Sequence, residues 1–213
     1  MSEQYAKMAE ALIAGRVDEV VGITKQLLDA GVAANSILQD GLLPGMNVVG
    51  QRFKACEMFI PEVLRSAKSM AGSMELLRPL LSESESQSAG KFVIGTVKGD
   101  LHDIGKNLVG MMFEGAGFQV VDLGIDLDAQ VFVDAVKREK PDILGLSALL
   151  TTTMPRMGEA INALKEAGVR DQVKVMVGGA PVTEEFAKEV GADAYGANAA
   201  MAVEKGKALL GIA

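Results

Sequence analysis

Apolar residues in the first part of the chain recur every three or four positions, which is the spacing of amphipathic α-helices. The spacing predicts four helices, the second ending at Gly31 and the fourth beginning near Pro61. The third begins near Asn35 and must adjust its backbone around Pro44, which has no N–H to donate. Four amphipathic helices with short connections are typical of a small helical bundle.

Residues 82–90 break this pattern. The stretch contains serine, glutamate, glutamine, alanine and glycine, and it has no large apolar side chain to bury. This composition is typical of a flexible linker, although a phosphorylated or partner-binding segment has the same character. We therefore expect a helical domain over residues 1–81, a linker over 82–90 and a second domain over 91–213.

From residue 91 onward, short apolar runs alternate with longer stretches of helical spacing. The predicted strands cover residues 92–97, 119–123, 143–147, 173–177 and 193–195, and the predicted helices cover 105–115, 128–139, 155–167, 183–190 and 198–210. Buried strands separated by helices indicate a parallel sheet covered on both faces. The expected fold is an N-terminal all-α four-helix bundle followed by a C-terminal α/β domain with a flavodoxin-like (Rossmann-like), doubly wound, five-stranded parallel sheet.

A flavodoxin-like sheet has a topological switch point between its first and third strands, where the loops diverge and open a crevice. His102 follows the first predicted strand, and Ser147 ends the third. The topology therefore predicts that these two residues meet at one crevice.

Composition narrows the classes of partner. The chain has 213 residues and a net charge of -7, and an acidic surface attracts neither nucleic acid nor an anionic membrane. Neither a membrane-spanning apolar run nor a signal peptide is recognisable, so we expect a cytoplasmic protein. The single cysteine, Cys56, cannot form an internal disulfide, and we expect it to be buried and inert.

The only histidine, His102, lies in the loop between the first strand and the next helix. Glycines at both ends of this loop, Gly99 and Gly105, allow a tight turn or the close approach of a ligand. Asp100 is near enough to accept a hydrogen bond from one ring N–H of His102 and leave the other ring nitrogen for a metal. A solvated histidine beside a helix-capping aspartate explains the same residues, and residue types alone favour that simpler interpretation.

Three blocks change this assessment. They are Asp100-x-His102-x-x-Gly105, Ser147-x-Leu149 and Gly178-Gly179, and their order and spacing resemble the cobalamin-binding signature of methyl-transferring corrinoid proteins and of cobalamin-dependent methionine synthase. Flanking residues agree with the resemblance: Gly95-Thr96-Val97, Asp122-Leu123-Gly124 and Ala192-Asp193-Ala194-Tyr195-Gly196.

The resemblance implies that cobalamin binds with its own base removed from cobalt and with His102 as the lower axial ligand. Asp100 and Thr153 would extend a hydrogen-bond relay from this ligand, with threonine where methionine synthase has serine. The implied cofactor-binding residues of the α/β domain are Gly99, Asp100, Leu101, His102, Asp103, Ile104, Gly105, Ser147, Leu149, Thr151, Thr153, Gly178, Gly179, Tyr195, Gly196 and Ala197. Residues 151–153 have a second interpretation, as the cap of the helix that begins near Pro155.

Within these families the helical domain caps the upper face of the corrin ring, and Met58, Phe59 and Val63 resemble that cap motif. Two glycines, Gly178 and Gly179, would leave room for the nucleotide loop of the cofactor, although a tight turn after the fourth strand also requires glycine. Ser147 and Leu149 would line the slot for the displaced base.

The implied function is that of a methyl carrier, which alternates between methylcobalamin and cob(I)alamin. A substrate-specific methyltransferase would load the methyl group, and a second methyltransferase would pass it to tetrahydrofolate or a thiol, with a reductive activator as a third partner. Methanol, methylamines, quaternary amines and aryl methyl ethers are the donors used in such systems. The alternatives are a cobalamin-dependent regulator, a mutase small subunit and a cofactor-free signalling domain.

Overall fold

The structure is a computed structural model that describes residues 2–81 and 89–212. It forms two compact units, one almost entirely before residue 89 and the other almost entirely after it. Most of the predicted linker, residues 82–88, lies outside the described residues.

The first unit is helical. Its elements are α1 (Ser2–Ile13), α2 (Val17–Asp29), α3 (Ala34–Ser36), a π-helical segment (Ile37–Leu42), α4 (Leu43–Lys54), α5 (Ile60–Leu77) and a 3-10 turn (Arg78–Leu80). The third predicted helix is the continuous run from α3 to α4. Since α2 packs on α5 and α1 packs on α4, the predicted four-helix bundle is confirmed.

The π-helical segment shows how the third helix accommodates Pro44. Proline has no N–H, so the usual bond from this position to the carbonyl of Asp40 is impossible. The preceding turn widens, and the N–H of Leu43 bonds to the carbonyl of Leu38, five residues back. The adjustment expected around Pro44 is therefore a wider turn just before it.

The second unit is an α/β domain. Its elements are β1 (Lys91–Thr96), α6 (Ile104–Gly115), β2 (Gln119–Asp122), α7 (Ala129–Glu139), β3 (Ile143–Ser147), α8 (Pro155–Glu166), a 3-10 turn (Arg170–Gln172), β4 (Lys174–Gly178), α9 (Glu184–Val190), β5 (Ala194–Gly196) and α10 (Ala199–Leu209). All strand pairs are parallel, in the order β2-β1-β3-β4-β5. The flavodoxin-like sheet and its switch point between β1 and β3 are therefore confirmed.

Both faces of the sheet are buried. On one face, aliphatic strand residues such as Val93, Leu144 and Val175 pack against α7 and α8 in the main core cluster. On the other face, the rings of Phe92 and Phe113 stack with their centroids 3.8 Å apart. Near-continuous apolar strands were the correct signal for this two-sided burial.

One prediction about the helical unit was wrong. Cys56 is exposed and lies in the turn between α4 and α5, where its φ is 59°. Among the helices in the described ranges, none has the length and apolar character that crossing a bilayer requires.

Candidate functional site

Four residues form one row across the carboxyl edge of the sheet. Thr96 on β1 is in register with Ser147 on β3, which is in register with Gly178 on β4, which in turn pairs with Gly196 on β5. The loops that leave these strands therefore start side by side. The sheet thus brings together three predicted blocks that lie far apart in sequence.

The loop after β1 is held by its own strand. The buried Thr96 donates a hydrogen bond from Oγ1 to the carbonyl of His102, at 3.0 Å. Gly99 turns the chain with a φ of 80°, a conformation that residues with a Cβ rarely adopt. Sequence inspection missed Thr96 as a support, because threonine within a strand usually signals only strand propensity.

The His102 ring is oriented by Asp100. Nδ1 of His102 lies 2.7 Å from Oδ1 of Asp100, and the same oxygen accepts the backbone N–H of His102 at 3.1 Å. An ionised carboxylate only accepts, so Nδ1 is the nitrogen that donates in this contact, and Nε2 takes no part in it. Half of the His102 side chain is exposed, whereas that of Asp100 is fully buried.

The other oxygen of Asp100 is held by the loop between β3 and α8. Oδ2 accepts hydrogen bonds from the Leu149 amide at 2.7 Å, the Leu150 amide at 3.3 Å and the Thr153 hydroxyl at 2.7 Å. Burial acts to raise the pKa of this carboxyl, but the bonds from Thr153 and from the amides outweigh burial and hold the pKa well below its usual range. Asp100 is therefore a buried, ionised carboxylate.

The geometry decides between the two interpretations of residues 151–153. Met154, and not a threonine, is the N-cap of α8, and its side chain forms no capping hydrogen bond. The capping interpretation was therefore wrong. Thr153 instead points at Asp100, while Thr151 and Thr152 are exposed.

The packing of the protein itself explains why glycine occupies positions 178 and 179. A Cβ added to Gly179 would lie 1.8 Å from the carbonyl oxygen of Ala148, and its φ of 139° is strained for other residues. A Cβ on Gly178 would lie 3.0 Å from the carbonyl oxygen of Gly196. The close approach of neighbouring segments therefore requires glycine here, and contact with a cofactor stays a prediction.

The remaining predicted residues are spread over two regions. Gly196 belongs to the row across the sheet, Ala197 follows it, and the side chain of Tyr195 packs against the apolar core. Within the helical unit, Met58 and Val63 are buried, whereas Phe59 is 67% exposed. Their assignment to a cofactor cap stays a prediction.

Both parts of the chain match models of B12 binding domains, one over residues 90–204 and the other over residues 4–78. A corrinoid protein of Desulfitobacterium hafniense (strain Y51) is 43% identical over 96% of each chain. Trimethylamine corrinoid protein 1 of Methanosarcina acetivorans is 42% identical over 98% of this chain and 97% of its own.

The chain belongs to the B12-binding corrinoid protein family. A solved structure supports the assignment: the methanol:cobalamin methyltransferase complex of Methanosarcina barkeri matches with a TM-score of 0.88 and 32% identity, over 98% of this chain and 80% of that one. Cobalamin is the cofactor of this family, as the sequence predicted.

Residues of this corrinoid protein fit such a cofactor in three respects. His102 offers Nε2, which accepts no hydrogen bond from the part of the chain that the structure describes. Beside it, Leu101 and Ile104 are 67% and 76% exposed, so apolar side chains lie at the surface next to the imidazole. A Cβ added to Gly105 would meet nothing within 4 Å, so open space lies next to the loop. An imidazole, apolar side chains and free space suit a broad ring with a central metal.

A second network in the corrinoid protein escaped sequence inspection. Lys106, 3% exposed, pairs with Oδ2 of Asp122 and donates to Oδ1 of Asn107 at 2.8 Å. Asn107 in turn donates to Asp103, the neighbour of His102, at 3.2 Å. A lysine directly after Gly105 gave no sign of burial, because the helical apolar spacing does not include its position.

Proposed function

We propose that this chain carries a methyl group on the cobalt of cobalamin between a substrate-specific methyltransferase and a second methyltransferase acting on tetrahydrofolate or a thiol. In this proposal cobalamin binds with its own base displaced, and His102 is the lower axial ligand. The observation that carries the proposal is the 2.7 Å contact between His102 Nδ1 and the buried, ionised Asp100.

Asp100 and Thr153 give His102 the properties of a ligand. Asp100 holds the proton on Nδ1, which fixes the tautomer, orients the ring and increases the electron density at Nε2. Thr153 fixes the carboxylate from behind with its hydroxyl. Bound cobalamin supplies a cobalt centre that accepts and releases a methyl cation.

The base and nucleotide loop of cobalamin are proposed to enter the α/β domain at the row across the sheet. The side chain of Ser147 makes no hydrogen bond within the described ranges, so its hydroxyl is available to a nitrogen of the base. Leu149, 42% exposed, is available to pack against the base. Tyr195, Gly196, Ala197 and Thr151 would form the outer part of this slot.

The partners follow from the named relatives. The Methanosarcina barkeri structure is a methyltransferase complex, and other relatives are named for trimethylamine and dimethylamine. We infer that a methylamine methyltransferase loads this chain. An acceptor methyltransferase, a reductive activator, a cytoplasmic location and a helical cap containing Met58, Phe59 and Val63 complete the proposal.

The ligand assignment is tested by electron paramagnetic resonance of the cob(II)alamin form. Because His102 is the only histidine, ¹⁵N-histidine labels one position in a chain purified without a histidine tag. An axial ¹⁴N splits the cobalt signal into triplets, and ¹⁵N splits it into doublets. We expect doublets from the labelled protein, and triplets would contradict the assignment because the vitamin's own base would still be the ligand.

The carrier role is tested separately with the reduced, cobalamin-loaded chain. It is mixed with a trimethylamine or dimethylamine methyltransferase and the matching amine, and methylation is followed by absorbance. His102→Ala is the control, and we expect it to be methylated more slowly. If no donor tested (methylamines, methanol, betaine or an aryl methyl ether) methylates the loaded chain, the carrier role is wrong even where the doublets are present.

A further inference from the structure

Asp126 lies in the loop between β2 and α7 and contacts the His102 loop twice. Its Oδ1 accepts the backbone N–H of Gly99 at 2.8 Å, and its own N–H donates to the carbonyl of Asp100 at 3.1 Å. Its φ of 55° is uncommon for a residue with a Cβ, although aspartate tolerates it better than most. One residue therefore holds a peptide group on each side of the Gly99–Asp100 unit: the N–H of Gly99 before it and the carbonyl of Asp100 after it.

The segment around Asp126 is itself fixed to β1. The N–H of Thr96 donates to the carbonyl of Gly124 at 3.0 Å, and the N–H of Leu127 donates back to the carbonyl of Thr96 at 3.1 Å. Val97 and Leu127 also form an isolated parallel bridge. Asp126 thus projects from a stretch of backbone that is paired on both of its sides, which makes it a rigid support.

Asp100 is consequently held by two separate loops. The loop after β3 binds its carboxylate through Leu149 and Thr153, and the loop after β2 binds its main chain through Asp126. Bonds to the carboxylate do not fix the main chain of Asp100, because rotation about the side-chain bonds lies between the two. The ring of His102 is therefore placed only when the main chain is fixed as well.

We propose that Asp126 is a positioning residue that fixes Gly99 and Asp100 before cobalamin arrives, so that Asp100 presents His102 to cobalt in the correct orientation. The inference rests on the proposed role of His102 as the axial ligand. The pair of contacts from Asp126 to Gly99 and Asp100 is called the Asp126 clamp below.

The charge of Asp126 has a smaller part in the clamp than its oxygen. Lys98 Nζ lies 3.6 Å from Asp126 Oδ1 and 3.3 Å from Asp128 Oδ2, with all three side chains well exposed. Exposed ion pairs contribute little because water screens them. The bond from the Gly99 amide, followed by the charge of Lys98, holds the pKa of Asp126 below its usual value. Asparagine at this position keeps an oxygen that can accept the Gly99 N–H and removes the weak ion pair with Lys98.

Three variants separate the oxygen from the charge and from the backbone conformation. Asp126→Gly keeps the positive φ and removes the acceptor, whereas Asp126→Asn keeps both and removes only the charge. Asp128→Asn is the matched control, since it alters the other partner of Lys98 and leaves the clamp intact. The measurements are the dissociation constant of cobalamin, the ¹⁵N-histidine doublet and the melting temperature of the apoprotein.

Loss of a residue that orients a metal ligand typically weakens metal binding by about 10–100-fold. We expect Asp126→Gly to weaken cobalamin binding by about tenfold, the lower end of that range. Its doublet should be partly replaced by the triplet of the vitamin's own base, which a merely structural role would not change. Asp126→Asn and Asp128→Asn should stay within about twofold of the wild-type affinity, because neither removes the acceptor.

The outcomes are distinguishable. Triplets in the wild-type protein contradict the proposed function. If the wild-type protein gives doublets, and Asp126→Gly has the same affinity and the same doublets, only the clamp is overturned. A loss of affinity in Asp126→Asn as large as that in Asp126→Gly also overturns it, since charge would then be the cause. The Gly99 amide of the wild-type apoprotein should exchange its hydrogen slowly, and exchange at the rate of a free amide overturns the clamp whether or not the glycine variant folds.

Discussion

The hydroxyl of Thr153 lies 2.7 Å from Oδ2 of Asp100, although 53 residues separate them in sequence. Both side chains are buried, and the contact joins the loop after β1 to the loop after β3.

Replacement of Thr153 should separate its hydroxyl from its shape. Thr153→Val keeps the branched shape but leaves Oδ2 of Asp100 without one donor, which should lower the free energy of unfolding by about 1–3 kcal/mol. Thr153→Ser keeps the donor and should cost less. Urea unfolding of the apoprotein measures both, and a loss in Thr153→Ser as large as that in Thr153→Val would contradict the leading role of the hydroxyl.

Gly105→Ala should affect binding without affecting folding. The new methyl group meets no protein atom within 4 Å, and alanine in a helix stabilises it by about 0.5–1 kcal/mol relative to glycine. If cobalamin fills this space, the variant binds it more weakly while the apoprotein melts no lower. Gly22→Ala in α2, also with nothing within 4 Å, is the control, and its cobalamin affinity should match the wild type. Unchanged affinity in Gly105→Ala would place the cofactor elsewhere.

Gly179→Ala should destabilise the apoprotein itself. Its Cβ would overlap the carbonyl of Ala148 at 1.8 Å, so we expect a loss of more than about 3 kcal/mol or failure to fold. Gly168→Ala, with a φ of 68° and nothing within 4 Å, should lose only about 1–2 kcal/mol from its backbone conformation. Thermal melting without cobalamin compares them. If the Gly179→Ala apoprotein has normal stability, the protein's own packing does not require glycine at position 179, and contact with the cofactor becomes the better explanation.

Replacing Asp122 should lower the free energy of unfolding more than replacing Lys106, its ion-pair partner. Asp122→Asn leaves a buried ammonium without its counter-ion and should cost about 2–3 kcal/mol, limited by the solvent that reaches Asp122. Lys106→Met should cost less, because the carboxylate left behind is 45% exposed and hydrates. Glu19→Gln, which breaks the exposed Arg16–Glu19 pair, should change stability by less than about 0.5 kcal/mol. Urea unfolding gives the order, and a larger loss in Lys106→Met would contradict it.

Most of the fold was predictable because its signals are local. The 3.6-residue spacing before residue 80 and the apolar runs after residue 91 place helices and strands to within a residue or two. Pro44 indicated a distortion in the third helix, but only the structure shows it as a π-helical turn, since a missing N–H does not specify how the preceding turn adjusts. Burial of Cys56 was mispredicted because a turn residue's exposure depends on the path of the chain.

By itself the sequence predicted where the site lies. Asp100 and His102 are neighbours in one loop, so their contact needs only local geometry. The alternation of strands and helices predicted a parallel sheet, and the structure shows the strand order that places Ser147 beside this loop. The tertiary structure decided which groups bind the second oxygen of Asp100, why Gly179 must be glycine, and that Asp126 and Lys106 support the loop. These contacts join residues 16 to 53 positions apart, and only the packing of the folded chain brings such residues within hydrogen-bond distance.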